Sequence, residues 1–236
     1  MEKLELLYEG KAKKVYATSD PEKYIVSYKD SATAFNGEKK GEIIGKGEVN
    51  NLMSNIIFQL LAKEGIKTHF ISELNERETL VRAVSIVPLE VIVRNVAAGS
   101  FSKRFGVAEG IELKQPTLEF CLKDDALGDP MINTSQILAL SLATPRELER
   151  IAYIATRVNE VLSNYFDTIN VKLIDFKIEV GRTNNGEIIL ADEISPDTCR
   201  LWDKETGKKL DKDRFRQNLG EVEEAYQEML NRVSKF

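Results

Sequence analysis

The stretch 173-LIDFKIEVGR-182 alternates apolar and charged residues with a period of two. Successive side chains of a β-strand point to opposite faces, so Asp175, Lys177 and Glu179 share one face while Phe176, Ile178 and Val180 line the other. Such a strand needs an apolar layer behind it and neighbours beside it, and both are legible nearby. Upstream, 144-TPRELERIAYIATRVNEVLSNYF-166 offers Thr144 as N-cap, Pro145 at the first helical position and Glu147 three residues past the cap. The stripe Leu148, Ile151, Ala155, Val158 and Leu162 predicts a helix packed on the core. Downstream, Asn185-Gly186 is the favoured pair for a two-residue type I′ turn into a second strand, 187-EIILADEI-194. With that turn residue 184 faces 187, and counting outward sets Glu179 opposite Asp192. Facing carboxylates, with Cβ atoms about 5 Å apart, can share a divalent cation. The same pair also suits solvated hairpin charges, and a slip of one residue would turn Asp192 to the other face.

Composition bounds what this chemistry can serve. The chain has 236 residues, 42% hydrophobic and 30% charged, enough for one large or two small associated domains with a full core. Its first residues lack the apolar segment of a signal peptide, and no run approaches the roughly 20 apolar residues of a membrane span, so a soluble, cytoplasmic protein is expected. Cys121 and Cys199 are too few for a disulfide framework, and neither has metal-ligand spacing to the single histidine, His69. A net charge of −5 argues against nucleic acid as a partner, whose phosphates need clustered cations in excess.

Along the chain, residues 4 to 35 read as a small antiparallel sheet, and 49–62 as a helix ended by Gly65. Strand-like runs follow at "THFISEL" and "ETLVRAVSIVPLEVIVRNV". The Gly-, Pro- and Asp-containing segment 106–140 reads as loop with short strands. Residues 212–233 read as helical, interrupted near Gly220. A boundary falls near residue 80, giving an N-terminal β-rich domain (1–82) and a C-terminal α+β domain (83–236).

Further constellations carry charge in suggestive patterns. In 8-YEGKAKKVY-16 a glycine allows close backbone approach, and Lys11 and Lys13 alternate toward one side, as a phosphate flap or a solvated hairpin edge would have them. In 87-VPLEVIVRNVAAGSFSKRFG-106, Glu90, Ile92 and Arg94 share a strand face that runs into a small-residue turn at Ser100. Arg94 and Ser100 suit a phosphate monoester, while Glu90 and Arg94 could instead form a structural ion pair. Arg200, in 195-SPDTCRLWD-203, has the planar fork that fits phosphate or carboxylate. Lys123 and Asp129 stand in the acidic loop 122-LKDDALGDP-130.

Together these segments resemble the SAICAR synthetase (phosphoribosylaminoimidazole-succinocarboxamide synthase) family across essentially the whole chain. "GKAKKVY" resembles its phosphate flap, and "VPLEVIVRNVAAGS" and "LIDFKIEVG" resemble its two signatures. "DEISPDTCRLWDKETG" and "DKDRFRQ" match further on. The resemblance implies an α+β fold with antiparallel sheets, a kinase-like, ATP-grasp-like N-terminal domain, and ATP held between two domains. It implies a ligase that uses ATP and Mg²⁺ to join L-aspartate to carboxyaminoimidazole ribonucleotide (CAIR). By the same resemblance Lys11, Lys13, Lys123 and Glu179 meet ATP, Glu179 and Asp192 hold the metal, and Lys177 and Asp175 are catalytic. Glu90, Arg94, Ser100, Asp129 and Arg200 meet the nucleotide substrate, adenine meets the backbone near residues 82–86, and the assembly is a homodimer. A protein kinase would need H-R-D and D-F-G motifs in order, which are absent. A non-catalytic nucleotide sensor would be expected to lose Lys177 or one of the carboxylates.

Overall fold

The computed structural model describes residues 2–34 and 37–235, so residue 35, the end of the β-rich stretch read from 4, lies outside it. The first half runs β1 (Leu6–Glu9), β2 (Lys13–Ala17), β3 (Lys23–Tyr28), β4 (Ser31–Ala34), β5 (Lys39–Glu42), α1 (Lys46–Lys63), β6 (Phe70–Asn75) and β7 (Glu78–Arg82). The second runs β8 (Ser85–Ile86), β9 (Leu89–Val96), α2 (Gly99–Phe105), β10 (Glu112–Leu122), α3 (Thr134–Ala139) and α4 (Pro145–Thr168). It continues with β11 (Val171–Arg182), β12 (Ile188–Ala191), β13 (Cys199–Asp203), α5 (Asp213–Arg216) and α6 (Val222–Val233).

Antiparallel pairing builds a five-stranded sheet in the order β1-β2-β3-β7-β6 and a six-stranded sheet centred on β11. β11 contains the opening stretch and is the hub. It pairs with β9 over residues 175–178, β13 over 171–176, β12 over 179–182 and β8 over 181–182. Its apolar face packs on α4: Phe176, Ile178 and Val180 share one core with Leu148, Ile151, Ala155, Val158 and Leu162. Each of the larger of these side chains, fully buried, stabilises the fold by about 1.5–3 kcal/mol, and Ala155 by less. Met53, Ile57, Phe58 and Leu61 of α1 and Ala225, Met229 and Val233 of α6 belong to the same core. That core therefore crosses the line near residue 80.

Three readings are corrected. Segment 106–140 holds the 11-residue strand β10 and the helix α3, which Asn133 and Gln136 close with a capping box. β10 lies at the edge of the sheet beside β9, met on its other side by a short bridge to Met131, and is largely exposed, so it lacks the apolar alternation of a half-buried strand. Pro116 falls within its register shift, a position where a missing N–H is tolerated. The run 78–96 is three strands: β7 pairs with β3 and β6 in the five-stranded sheet, while β8 and β9 pair with separate parts of β11.

The third correction concerns the hairpin. Thr183 N–H donates to Glu187 O at 3.0 Å, enclosing the three-residue loop Asn184, Asn185 and Gly186, with Gly186 left-handed at φ 80°. A three-residue loop ending in a left-handed residue shifts the pairing by one, and Glu179 faces Ala191 rather than Asp192.

At the head of α4, Thr144 and Glu147 cap each other, and Arg182 Nε meets Glu147 Oε1 at 2.5 Å. The Arg182 guanidinium, with the Thr144 donors against partial burial, holds the Glu147 carboxyl at about 2, below its usual 4.5. A carboxyl depressed by folding contributes stability above its unfolded pKa and loses it as pH falls through the folded value. Glu147→Gln is therefore expected to cost about 1 kcal/mol at pH 7 and to flatten the acid limb between about pH 4.5 and 2, measured by urea unfolding across that range.

Candidate active site

A cavity of about 920 Å³ is lined by both main sheets, and every side chain singled out in the sequence lines it. Its apolar part is formed by Val15, Val26, Val81, Val84 and Ile86. Ionisable side chains line the rest, arranged by the register of β11.

At one end, Asp175 of β11 stands in register with Arg94 of β9 on one side and Arg200 of β13 on the other. Arg94 Nη1 lies 2.7 Å and Arg200 Nη1 2.9 Å from Asp175 Oδ2. Arg94 also donates to Glu119 Oε2 at 3.0 Å and Ser100 Oγ at 3.1 Å, and Arg200 Nε to Asp213 Oδ2 at 2.8 Å. Although burial opposes the charged form of Arg200, Asp175 and Asp213 outweigh it and raise its pKa above the ordinary value. Gly99, φ 54°, is required here, since a Cβ would stand 2.4 Å from Arg200 Nη2. The Glu90–Arg94 ion pair left open by the sequence does not form. Four residues along a strand separate the two by roughly 13 Å, and Glu90 instead takes Lys177 Nζ at 2.8 Å.

Two residues along β11, Lys177 Nζ also reaches Glu179 Oε1 at 3.3 Å, and Lys123 Nζ meets the same oxygen at 2.8 Å. Burial would push the Lys177 ammonium down, yet Glu179, Asp192 and Glu90 hold its pKa far above the usual lysine value. Asp192 reaches this group despite the shifted register. It is left-handed at φ 64°, immediately after β12 ends, which turns its side chain out of the strand's alternation. Its carboxylate pairs with Lys13, which also lies 3.4 Å from Glu193 Oε1. Against burial, which would raise it, Lys13 and Lys177 keep the Asp192 carboxyl well below the ordinary range. His69 stands in the same wall, edge-on to Phe58, neutral with its pKa lowered to about 4, chiefly by burial and then by Lys13. Lys11 crosses to Asp125 at 2.6 Å, tying the flap to the acidic loop. Asp129 lines the cavity and also accepts the Asp124 N–H at 3.0 Å, bracing that loop.

Glu179 and Asp192 are hard oxygen donors on one wall, the set that suits Mg²⁺. Among the described residues no group of three or more His, Cys, Asp or Glu side chains is placed to hold a metal ion. A cation held by these two would complete its shell with oxygens from outside the chain, as Mg²⁺ does when it binds substrate phosphates.

Sequence reasoning missed a second buried group. Lys46 and Tyr226 meet Asp197 from behind the cavity wall, Asp197, Lys212 and Arg216 line the cavity, and Glu193 joins Lys13. Lys212 and Arg216 lie in the matched "DKDRFRQ" run and were available. Lys46 sits in a glycine-flanked stretch without periodicity, and nothing local marks its ammonium for burial.

Replacing Asp175 by Asn would leave two buried guanidiniums short of a shared counter-charge. The expected loss is about 3 kcal/mol in denaturant unfolding, and a loss below roughly 1 kcal/mol would mean that Glu119 and Asp213 suffice.

Comparison with known proteins gives this geometry its family. A sequence model described as SAICAR synthetase matches residues 6–233. The phosphoribosylaminoimidazole-succinocarboxamide synthase of Lachnoclostridium phytofermentans is 62% identical over 233 residues, covering 99% of both chains. The crystal structure of the Ehrlichia chaffeensis synthase superposes with a TM-score of 0.96 at 48% identity, over 98% of this chain and 99% of that one. A SAICAR synthetase solved in complex with ADP superposes with a TM-score of 0.94 at 47% identity, over 97% of each chain. A full-length match in sequence and fold thus joins a cavity whose charges are paired strand by strand, and the chain belongs to the SAICAR synthetase family, ATP-using ligases of purine biosynthesis.

Proposed function

We propose a division of labour along β11 for the family's reaction, the ATP-dependent joining of L-aspartate to the carboxylate of CAIR. The observation that carries it is the spacing of charge on that strand. The arginine pair at Asp175 and the lysine–carboxylate group at Glu179 lie roughly 13 Å apart by strand rise, on one face of one cavity. A nucleotide monophosphate laid between them has its phosphate on Arg94, Ser100 and Arg200, and its base carboxylate beside Lys177 and Glu90. Asp175 ties the two guanidiniums together through its own oxygens and borders the amine-bearing side of the base.

ATP enters from the other sheet. Its adenine fits the apolar part of the cavity near residues 82–86, and its phosphates meet Lys11, Lys13 and Lys123. Glu179 and Asp192 would hold Mg²⁺, which supplies charge neutralisation on the phosphates when bound. A carboxylate is a poor electrophile, so the route begins with transfer of the γ-phosphoryl group from ATP to the CAIR carboxylate, releasing ADP and giving an acyl phosphate. Lys177, whose neighbours keep it charged, stabilises the negative charge spread over the transferring group. The aspartate amine then attacks the acyl carbon, loses a proton, and expels phosphate. L-aspartate brings two carboxylates; of the cavity cations without a role so far, Arg82 stands at the adenine end, which leaves Lys212 and Arg216 for them. Burial depresses Lys212, with Arg216 and Lys46 adding to the lowering and Asp197 opposing it, and an arriving carboxylate offsets that penalty. A homodimer and a cytoplasmic location belong to this proposal on the family resemblance; no described helix is long and apolar enough to cross a membrane.

ADP release measured with CAIR, with and without L-aspartate, tests the whole: no aspartate-dependent turnover in the presence of Mg²⁺ rejects it. Asp192→Asn is expected to lower kcat by about 100-fold or more with circular dichroism unchanged. Arg94→Ala should raise KM for CAIR by about tenfold while KM for ATP moves little, and an unchanged CAIR KM moves the phosphate subsite elsewhere.

A further inference from the structure

The wall that carries Asp192 and Glu193 continues through Asp197, and one face of α1 holds it. Lys46, Asn50 and Ser54 follow at helical spacing, and all three are fully buried. Ser54 Oγ donates to Ile194 O at 3.1 Å and accepts from Ile194 N at 3.3 Å. Lys46 Nζ lies 2.9 Å from Asp197 Oδ2. Between them, neither side-chain polar atom of Asn50 has a hydrogen-bond partner among the described residues. The Asp197 N–H donates to Ser195 Oγ at 3.1 Å, and Asp197 Oδ1 accepts from Tyr226 OH at 2.6 Å.

Lys212 Nζ stands 3.5 Å from the Asp197 oxygen that Lys46 holds, while it lines the cavity. One carboxylate thus serves two ammoniums, and the shorter, more buried contact belongs to Lys46. We propose that Lys46 is a positioning residue, which occupies Asp197 and so leaves the Lys212 charge available to a carboxylate of L-aspartate. The proposal rests on the reading of Lys212 given above. Without the Lys46 ammonium, Asp197 has only Lys212 to neutralise it, and Lys212 closes on Asp197 instead of on substrate. An isolated buried carboxylate enforces that exchange, since its desolvation far exceeds the difference between two lysine contacts.

Steady-state kinetics of Lys46→Met and Lys46→Arg, with L-aspartate, ATP and CAIR varied in turn, test this. In Lys46→Met the KM for L-aspartate is expected to rise by roughly tenfold or more, with the other two within about threefold, and Lys46→Arg should recover most of the loss. Three unchanged KM values with only a lower Tm, or equal rises in all three, overturn the proposal. If Lys46→Met does not fold, the double variant Lys46→Met/Asp197→Asn serves, because it also removes the carboxylate that would recruit Lys212. Its KM for L-aspartate must stay within about threefold of the parent value, and a tenfold rise overturns the proposal. Lys212→Met separates the two readings. An unchanged aspartate KM there rejects the Lys212 assignment, whereas a rise there with none in Lys46→Met rejects the positioning role alone.

Discussion

A charge on the middle strand of a sheet is tolerable only where its opposite stands on the neighbouring strand, and this constraint organises the site. β11 has strands on both sides along most of its length; Asp175 and Glu179 are buried and Lys177 half-buried. Each is answered across a ladder or from a loop: Asp175 by Arg94 and Arg200, Lys177 by Glu90, Glu179 by Lys123. Those partners are themselves the groups that a phosphate or a carboxylate would meet. In the proposed reading, stability and ligand recognition draw on the same ion pairs, and the register of three strands fixes those pairs.

This dual use explains why the pairs need a stiff support. The apolar face of β11 is packed on α4, and the end of β11 is tied to the head of α4 through Arg182 and the Thr144–Glu147 cap. Slippage by one residue would bury the charges in the core and expose Phe176, Ile178 and Val180. The greasy back of the strand is what keeps its chemistry aimed forward.

Much of this was legible because alternation and capping are local signals. The β11 pattern, the α4 cap, the break at Gly220 and the grouping of charged stretches all follow from neighbours in sequence. The hairpin register was not legible, since Asn185-Gly186 is compatible with loops of two or three residues and only the Thr183–Glu187 hydrogen bond decides between them. The expectation of Asp192 beside Glu179 rested on a direct pairing that does not occur; a left-handed backbone at Asp192 brings it into the cavity by another route. Edge strand β10 lacks a period because its outer side faces water, and Lys46 lacks one because its burial is imposed by residues some 150 positions away, Asp197 being its partner.

α6 has a further consequence, for how the protein is made. Its Tyr226 and Leu230 pack with Ala32, Ile43 and Val49, while its Ala225, Met229 and Val233 enter the main core. Helix α1 is thus sealed by an element made long after it. Until residues 222–233 emerge, the α1 surface that receives them lacks α6, and Asp197 lacks its tyrosine. A nascent chain would then hold a half-assembled cavity until α6 follows, so the binding wall is completed only after every strand of both main sheets has been made.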